Sequence, residues 1–199
     1  MPEISVSLDD AWVREQLNQL WDQCRFKPDG APFLLAPDPF YDIPIYRDKV
    51  RFLIRRHNVP LEDMPVYMQA GLKDREAGRV ECVRVVYGDN GPVFSEKGSL
   101  SMFLNQSIIT SEEVMGGIIA HEFSHVYLHC RDLQKFDSTS RLSLQDEYRT
   151  DITAFAIGLG SLVLNAQKAL KFGRKLGYLS PGQMELVHKE VLARIGAVR

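Results

Sequence analysis

Two histidines four residues apart constrain the fold of this chain more than any other feature. They belong to the sequence His-Glu-Phe-Ser-His at positions 121–125. Residues four apart on an α-helix lie on one face, so a helix would direct the imidazoles of His121 and His125 toward a single ion. Glu122 is then the expected general base, because its carboxylate can take a proton from a water bound to that ion. The pattern therefore predicts a helix that holds a metal.

The flanking residues favour a helix from about Ser111 to His129. Thr110 is the expected N-cap, and Glu113, three residues later, would complete a capping box. Gly116 and Gly117 oppose the helix by about 1 kcal/mol each relative to alanine. We expect these glycines to be present because they permit close packing against a neighbouring element.

A second predicted helix, from Leu142 to Phe155, supplies the third metal ligand. Catalytic zinc usually has three protein ligands and keeps one position open for water. Glu147 and Asp151 are four residues apart and share a helix face. We expect Glu147 to bind the ion and Asp151 to accept a hydrogen bond from the far ring nitrogen of His121, which fixes the tautomer of that histidine. The alternative is that the two acids are a solvated surface pair.

Two other residues compete for the ligand role. His129 lies four residues after His125, but a straight helix rises roughly 12 Å over eight residues, so His121, His125 and His129 cannot bind one ion. We therefore expect His129 at the helix end, where it interacts with the helix dipole or the surface. Asp146 is a weaker candidate because it has no acidic partner four residues further on.

The stretch "HEFSHVYLH … EYRTDITAFA" resembles the gluzincin branch of the zincin metallopeptidases, whose pattern is H-E-x-x-H followed by E-x-x-x-D on a later helix. Within that branch it is most similar to HtpX-like and ImmA/IrrE-like peptidases. The resemblance covers the chain from about Gly98 to Leu164. Thr150 stands where HtpX-like chains usually have alanine, and the Leu-Met-Pro turn of ImmA-like chains is absent.

The resemblance implies an α+β, zincin-like fold, in which a small mixed or antiparallel sheet has an edge strand packed on the motif helix beside several further helices. It implies zinc-dependent hydrolysis of a peptide bond, with one Zn²⁺ per chain held by His121, His125 and Glu147. In zincins the strand before the motif helix typically lies at the sheet edge and pairs with an extended substrate. The predicted strand in that place is Gly98–Ile108, so a protein or peptide substrate is expected along it.

The reaction needs a further donor for the developing oxyanion. Four nearby side chains are candidates, and the sequence does not choose among them: Tyr148, Arg149, Tyr127 and His129. A different class of function is a zincin-fold binding or regulatory module without general peptidase activity. A structural protein with a chance motif is the third reading.

Length and composition limit the other possibilities. The 199 residues suit one domain, with 1–60 as a helical, proline-rich N-terminal portion and 61–199 as the catalytic core. A net charge of −2 gives no reason to expect nucleic acid or an anionic membrane as a partner. The longest apolar run, Ile152–Leu164, is too short to span a bilayer and is expected to be a buried core helix. Three widely spaced cysteines without a C-x-x-C pair fit a reducing, cytoplasmic setting.

Periodicity predicts the remaining elements. Helices are expected at Leu8–Cys24, at Tyr46–Asn58 and from Ser180-Pro181 onward, and strands at Val66–Leu72 and Val80–Tyr87, with a turn at Gly88–Pro92. The proline-rich segment Lys27–Pro44 is expected to be attached to the body by its aromatic residues. Whether that segment covers the cleft, and the oligomeric state, are left open.

Overall fold

The computed structural model describes residues 9–24, 32–70, 77–88, 91–134, 143–170 and 176–197. Within these ranges the chain forms seven α-helices and three β-strands, which confirms the predicted α+β class. In chain order they are α1 (Asp10–Cys24), α2 (Pro37–Tyr41), α3 (Tyr46–Arg56), β1 (Val66–Gln69), β2 (Gly78–Gly88), β3 (Gly91–Asn105), α4 (Glu112–Cys130), α5 (Leu144–Ala156), α6 (Gly160–Ala169) and α7 (Pro181–Ala197).

The three strands form one mixed sheet in the order β1-β3-β2. Strand β1 is parallel to β3 and β2 is antiparallel to it, so that Val66 and Val80 both pair with Met102 from opposite sides. The prediction that the strand at Gly98–Ile108 lies at the sheet edge was therefore wrong for residues 102–105, which belong to β3 and pair with β1 on one side and β2 on the other. The edge strand that packs on the motif helix is β2.

Strand β3 also carries the burial pattern of a central strand. Consecutive residues from Leu100 to Asn105 are buried, so both faces of the strand are covered. The predicted strand Val80–Tyr87 lies within β2, and the predicted Val66–Leu72 corresponds to β1 up to Gln69. Residues 71–72, like residues 89–90 of the predicted turn, lie outside the described ranges. Gly88 and Gly91 pair across that turn.

Helix α4 is the central element of the molecule, since it is buried on all sides from Gly116 to Leu128. A helix enclosed in this way needs close contacts with several neighbours. Its two glycines provide them, as predicted: Gly116 lies against the ring of Tyr41, and Gly117 lies against Ala166 of α6 and the side chain of Leu176. The metal-binding pattern is thus built into the core and not onto the surface.

A side chain at position 117 should destabilise the protein strongly. A Cβ there would lie 2.7 Å from Leu176 Cδ2 and even closer to Ala166, so the Gly117→Val substitution should reduce the free energy of unfolding by about 1–3 kcal/mol, the usual cost of overpacking. Gly182→Ala in α7 is the matched control, because a Cβ at position 182 meets no atom within 4 Å. Urea denaturation measures both changes, and equal midpoints for Gly117→Val and wild type would contradict this packing.

Two predictions about the helices around the motif were wrong. The N-cap of α4 is Ser111, whose hydroxyl accepts a hydrogen bond from the Val114 amide at 3.3 Å, so the expected cap at Thr110 was wrong by one residue. The run Ile152–Leu164 is not one helix, because Gly158 adopts a positive φ of 86° between α5 and α6. Among the described helices, none combines the length and the apolar character required to cross a bilayer.

The N-terminal portion is attached to the body, as predicted for its aromatic residues. Phe33 packs on Trp21 of α1, and Phe40 of α2 is 1% exposed. The buried ammonium of Lys49 donates to the carbonyls of Phe40 and Tyr41 at 2.9 and 2.8 Å and forms an ion pair with Glu112 at 3.1 Å. Lys49 thereby joins α2 and α3 to the first turn of α4. Residues 27–31 of the proline-rich segment lie outside the described ranges.

Candidate metal centre

Three predicted ligands converge where α5 crosses the middle of α4. Glu147 Oε2 lies 3.5 Å from His121 Nε2 and 3.3 Å from His125 Nε2. The three potential ligand atoms all lie within 4.8 Å of one another. Two ligands that are each ~2.1 Å from a tetrahedral zinc ion are about 3.4 Å apart. His121, His125 and Glu147 can therefore hold a metal ion with little rearrangement.

Asp151 fixes the tautomer of His121. Asp151 Oδ1 lies 2.8 Å from His121 Nδ1, so this ring nitrogen carries a proton and donates a hydrogen bond to the carboxylate. The Nε2 atom is then directed at Glu147, where a metal ion can be bound. This is the contact that the spacing of Glu147 and Asp151 along α5 predicts.

The Asp151 carboxylate is itself held by the segment that precedes α7. Its Oδ2 accepts hydrogen bonds from the amides of Tyr178 and Leu179 at 2.5 and 2.8 Å. Gly177 makes this approach possible: it has a positive φ of 74°, and a Cβ at that position would collide with the Asp151 carboxylate. Asp151 is 2% exposed, so both of its oxygens are committed in a dry environment.

His125 is oriented by two residues that the sequence analysis did not identify. Its Nδ1 lies 3.1 Å from Gln134 Oε1 and 3.0 Å from Thr150 Oγ1. The Thr150 hydroxyl donates its own proton to the Asp146 carbonyl at 2.9 Å, so toward His125 it can only accept. Both partners therefore require a proton on Nδ1, and the Nε2 atom of His125 is left facing Glu147 as the potential ligand.

The sequence contained only a partial signal for these two residues. Thr150 is the position that departs from HtpX-like chains, and the residue that stands there contacts His125 directly. Gln134 returns to the helix because Asp132 adopts a left-handed conformation with φ 56° and the Leu133 amide donates to the Leu128 carbonyl at 2.9 Å. Helix or strand periodicity in the sequence does not indicate such a backbone reversal.

The electrostatics of the centre favour a cation. The Nε2 atoms of both histidines and one carboxylate face a common point, and a partner on the opposite side holds the Nδ1 atom of each histidine. Burial alone would lower the pKa of His121, but the carboxylates of Asp151 and Glu147 outweigh it and hold this pKa well above its usual value. Burial would likewise raise the pKa of Glu147, but the two histidines lower it to about 2. Glu147 is therefore an anion at neutral pH, as a ligand must be.

Glu122 lies between the centre and the edge strand. It is 4% exposed, and its charge is among those that raise the pKa of His121. Gly78, the first residue of β2, leaves the space for it, since a Cβ there would lie 2.8 Å from the Cγ and Oε1 atoms of Glu122. A carboxylate is thus held beside the candidate ligands at the start of the edge strand.

Two of the four candidate oxyanion donors point away from the candidate ligands in the structure. The prediction was wrong for Tyr127, which is fully buried and donates its hydroxyl to the Cys24 carbonyl at 2.8 Å. Tyr127 follows His125 by two residues and therefore points to the opposite side of α4. Arg149 likewise follows Glu147 by two residues, and its charge acts on the Cys24 thiol, whose pKa is raised to about 12 by burial.

The other two candidate oxyanion donors, His129 and Tyr148, lie on α4 and α5 respectively. His129 is in the last turn of α4, where its Nδ1 lies 3.3 Å from the Gln134 carbonyl oxygen. This is the helix-end position expected for it. Tyr148 follows Glu147 directly, and its ring contacts that of Tyr178 with a centroid distance of 6.1 Å. Asp146, the rival ligand, instead completes a capping box with Ser143 at the start of α5.

Loss of the Gln134 amide should weaken metal binding without unfolding the protein. Removing a partner that orients a metal-binding histidine typically lowers affinity by about 10- to 100-fold. We expect such a loss for Gln134→Ala, measured as the zinc dissociation constant in competition with a chromogenic chelator. Gln145→Ala is the matched control, because residue 145 is exposed on α5. Equal affinities of the two variants would contradict the role of Gln134.

Compared with known proteins, the chain matches no family model, no curated protein and no solved structure. Support for a metal centre therefore comes from the arrangement of His121, His125 and Glu147.

Proposed function

We propose that this protein is a zinc-dependent metallopeptidase, with His121, His125 and Glu147 as zinc ligands. The observation that carries the proposal is the orientation of the two histidines, because Asp151, Gln134 and Thr150 hold the Nδ1 atoms and direct both Nε2 atoms at the Glu147 carboxylate. Two nitrogens and one oxygen in this geometry are a donor set that zinc accepts in catalytic sites. When bound, zinc supplies Lewis acidity and lowers the pKa of a coordinated water.

Glu122 acts as the general base in this proposal. It accepts a proton from the attacking water and passes it to the nitrogen of the leaving amine. Its burial beside His121 supports the assignment, since a carboxylate that is shielded from bulk water keeps the proton it has accepted close to the reacting atoms. Among the four candidate oxyanion donors, we retain Tyr148 and His129, since Tyr127 and Arg149 point away from the ligands.

A protein or peptide substrate binds along the outer edge of β2, which has no strand partner in the described part of the chain, and not along β3. The edge of β2 begins at Gly78, next to Glu122, whereas β3 pairs with β1 over residues 102–105 and with β2 on its other side. An extended chain added to β2 would pair with its backbone groups and pass the general base. This replaces the expectation that the substrate pairs with Gly98–Ile108.

The direct test is zinc content together with zinc-dependent cleavage. We expect one zinc per chain in the purified protein, cleavage of peptides in an unbiased library, loss of cleavage after removal of the metal by a chelator, and recovery on return of zinc. Stoichiometric zinc without cleavage of the library or of proteins from the source cell would favour the alternative, a zincin-like binding or regulatory module. Absence of zinc, with none taken up on addition, would overturn the proposal.

A further inference from the structure

We infer that three aromatic rings beside the metal centre form a subsite for a large apolar side chain of the substrate, aromatic by preference, next to the bond that is cleaved. The rings are those of Trp12, Tyr148 and Tyr178. This inference rests on the proposed function and adds the substrate class to it.

The rings form a continuous row that begins at a candidate metal ligand. The Tyr178 ring is stacked on His121 at a centroid distance of 6.4 Å and an interplanar angle of 29°. Tyr148 lies 6.1 Å from Tyr178, and Trp12 makes an edge contact with Tyr148 at 6.0 Å. Three separate parts of the chain supply these rings: α1, α5 and the segment before α7. The rings are therefore not brought together simply by regular spacing along a single helix.

The row is partly open to solvent. Tyr178 is 37% exposed, and Trp12 and Tyr148 are half-buried. Leu144, one helical turn before Tyr148 on the same face of α5, is 57% exposed. Tyr178 and Leu144 are two of the few large apolar side chains exposed in the described part of the chain. An apolar surface of this kind beside a polar centre is typical of a binding site.

The row is also held in place before any ligand arrives. Asp151 binds the backbone amide of Tyr178 with one oxygen and His121 with the other, so the ring at the start of the row is fixed by the same carboxylate as the histidine. The Trp12 amide donates to Asp9 Oδ1 at 2.9 Å, which secures the first turn of α1. A preorganised surface loses little entropy when it binds.

The occupant follows from the chemistry of the row. Aromatic faces and edges bind large flat apolar groups more strongly than small ones. The row meets the candidate ligands at Tyr178, which is stacked on His121, so a substrate at the centre reaches the row with a side chain adjacent to the cleaved bond. Phenylalanine, tyrosine or leucine at that position should be favoured over alanine.

Two short peptide hydroxamates, identical except for phenylalanine or alanine beside the hydroxamate, test this inference. Calorimetric titration of the zinc-loaded protein should give a dissociation constant about 10- to 100-fold lower for the phenylalanine compound, the range expected for burial of one such side chain. The Trp12→Ala substitution should reduce this preference to less than about threefold.

A second variant and a matched control keep the test independent of folding. Leu144→Asp places a charge on an exposed residue in the first turn of α5, where an acid favours the helix, and it should also reduce the preference. Trp21→Ala is the control, because Trp21 lies on the same helix α1 but packs on Phe33 and Arg194. Trp21→Ala should retain the full preference.

The outcomes separate this inference from the proposed function. If zinc is bound and both hydroxamates bind equally well, the subsite is wrong and the metal centre stands. A preference that persists in both Trp12→Ala and Leu144→Asp also overturns the subsite. If zinc is not bound, the proposed function fails and the subsite fails with it.

Discussion

The Glu122→Gln variant is expected to bind zinc as tightly as the wild type and to cleave peptides about 10²- to 10⁴-fold more slowly. Glutamine keeps the size of the side chain, so it fits the space beside Gly78, but it cannot accept the proton of the attacking water. The measurement is kcat for a cleaved peptide, with zinc content determined on the same preparation.

Glu113→Gln is the matched control for this experiment. It makes the same chemical change in the same helix, in the first turn and away from the ligands. Its turnover should stay within about twofold of wild type, since it leaves the general base in place. Cleavage by Glu122→Gln at the wild-type rate would show that another group takes the proton, and the assignment of Glu122 would be withdrawn.

Glu147→Ala is expected to lower zinc affinity by more than the roughly 100-fold that the loss of an orienting residue costs, because it removes a ligand outright. The same change should abolish cleavage. The contacts with His121 and His125 lower the pKa of Glu147 against the effect of burial, so the substitution removes an anionic ligand. Equilibrium competition with a chelator of known affinity measures it.

Asp146→Ala is the control that separates the two adjacent acids. It removes the capping box of α5 and should reduce the free energy of unfolding by about 1 kcal/mol while zinc affinity is retained. If Asp146→Ala loses zinc and Glu147→Ala retains it, the third ligand has been assigned to the wrong acid.

The edge strand illustrates why some features escape sequence analysis. Gly98–Ile108 has the alternation of a strand, and its position before the motif helix suggested the sheet edge. Its neighbour β1 is only four residues long and pairs in parallel through a long connection, so nothing local indicates it. The order of strands depends on which apolar faces can be buried together, and this is decided by the whole core.

The sequence by itself determined the features that depend on helix periodicity. His121 and His125 share a face of α4, and Glu147 and Asp151 share a face of α5, because residues four apart always do so in an α-helix. The same rule accounts for the positions of Tyr127 and Arg149, which point away from the ligands.

Only the tertiary structure decided which distant groups complete the centre. Gln134 reaches His125 through a backbone reversal, the amides of Tyr178 and Leu179 hold Asp151, and Trp12 meets Tyr148 from the far end of the chain. These contacts join separate segments at single points, where no repeating pattern of residues is required. They form because the helices pack in one arrangement around α4, and the free energy of that packing is a property of the complete fold.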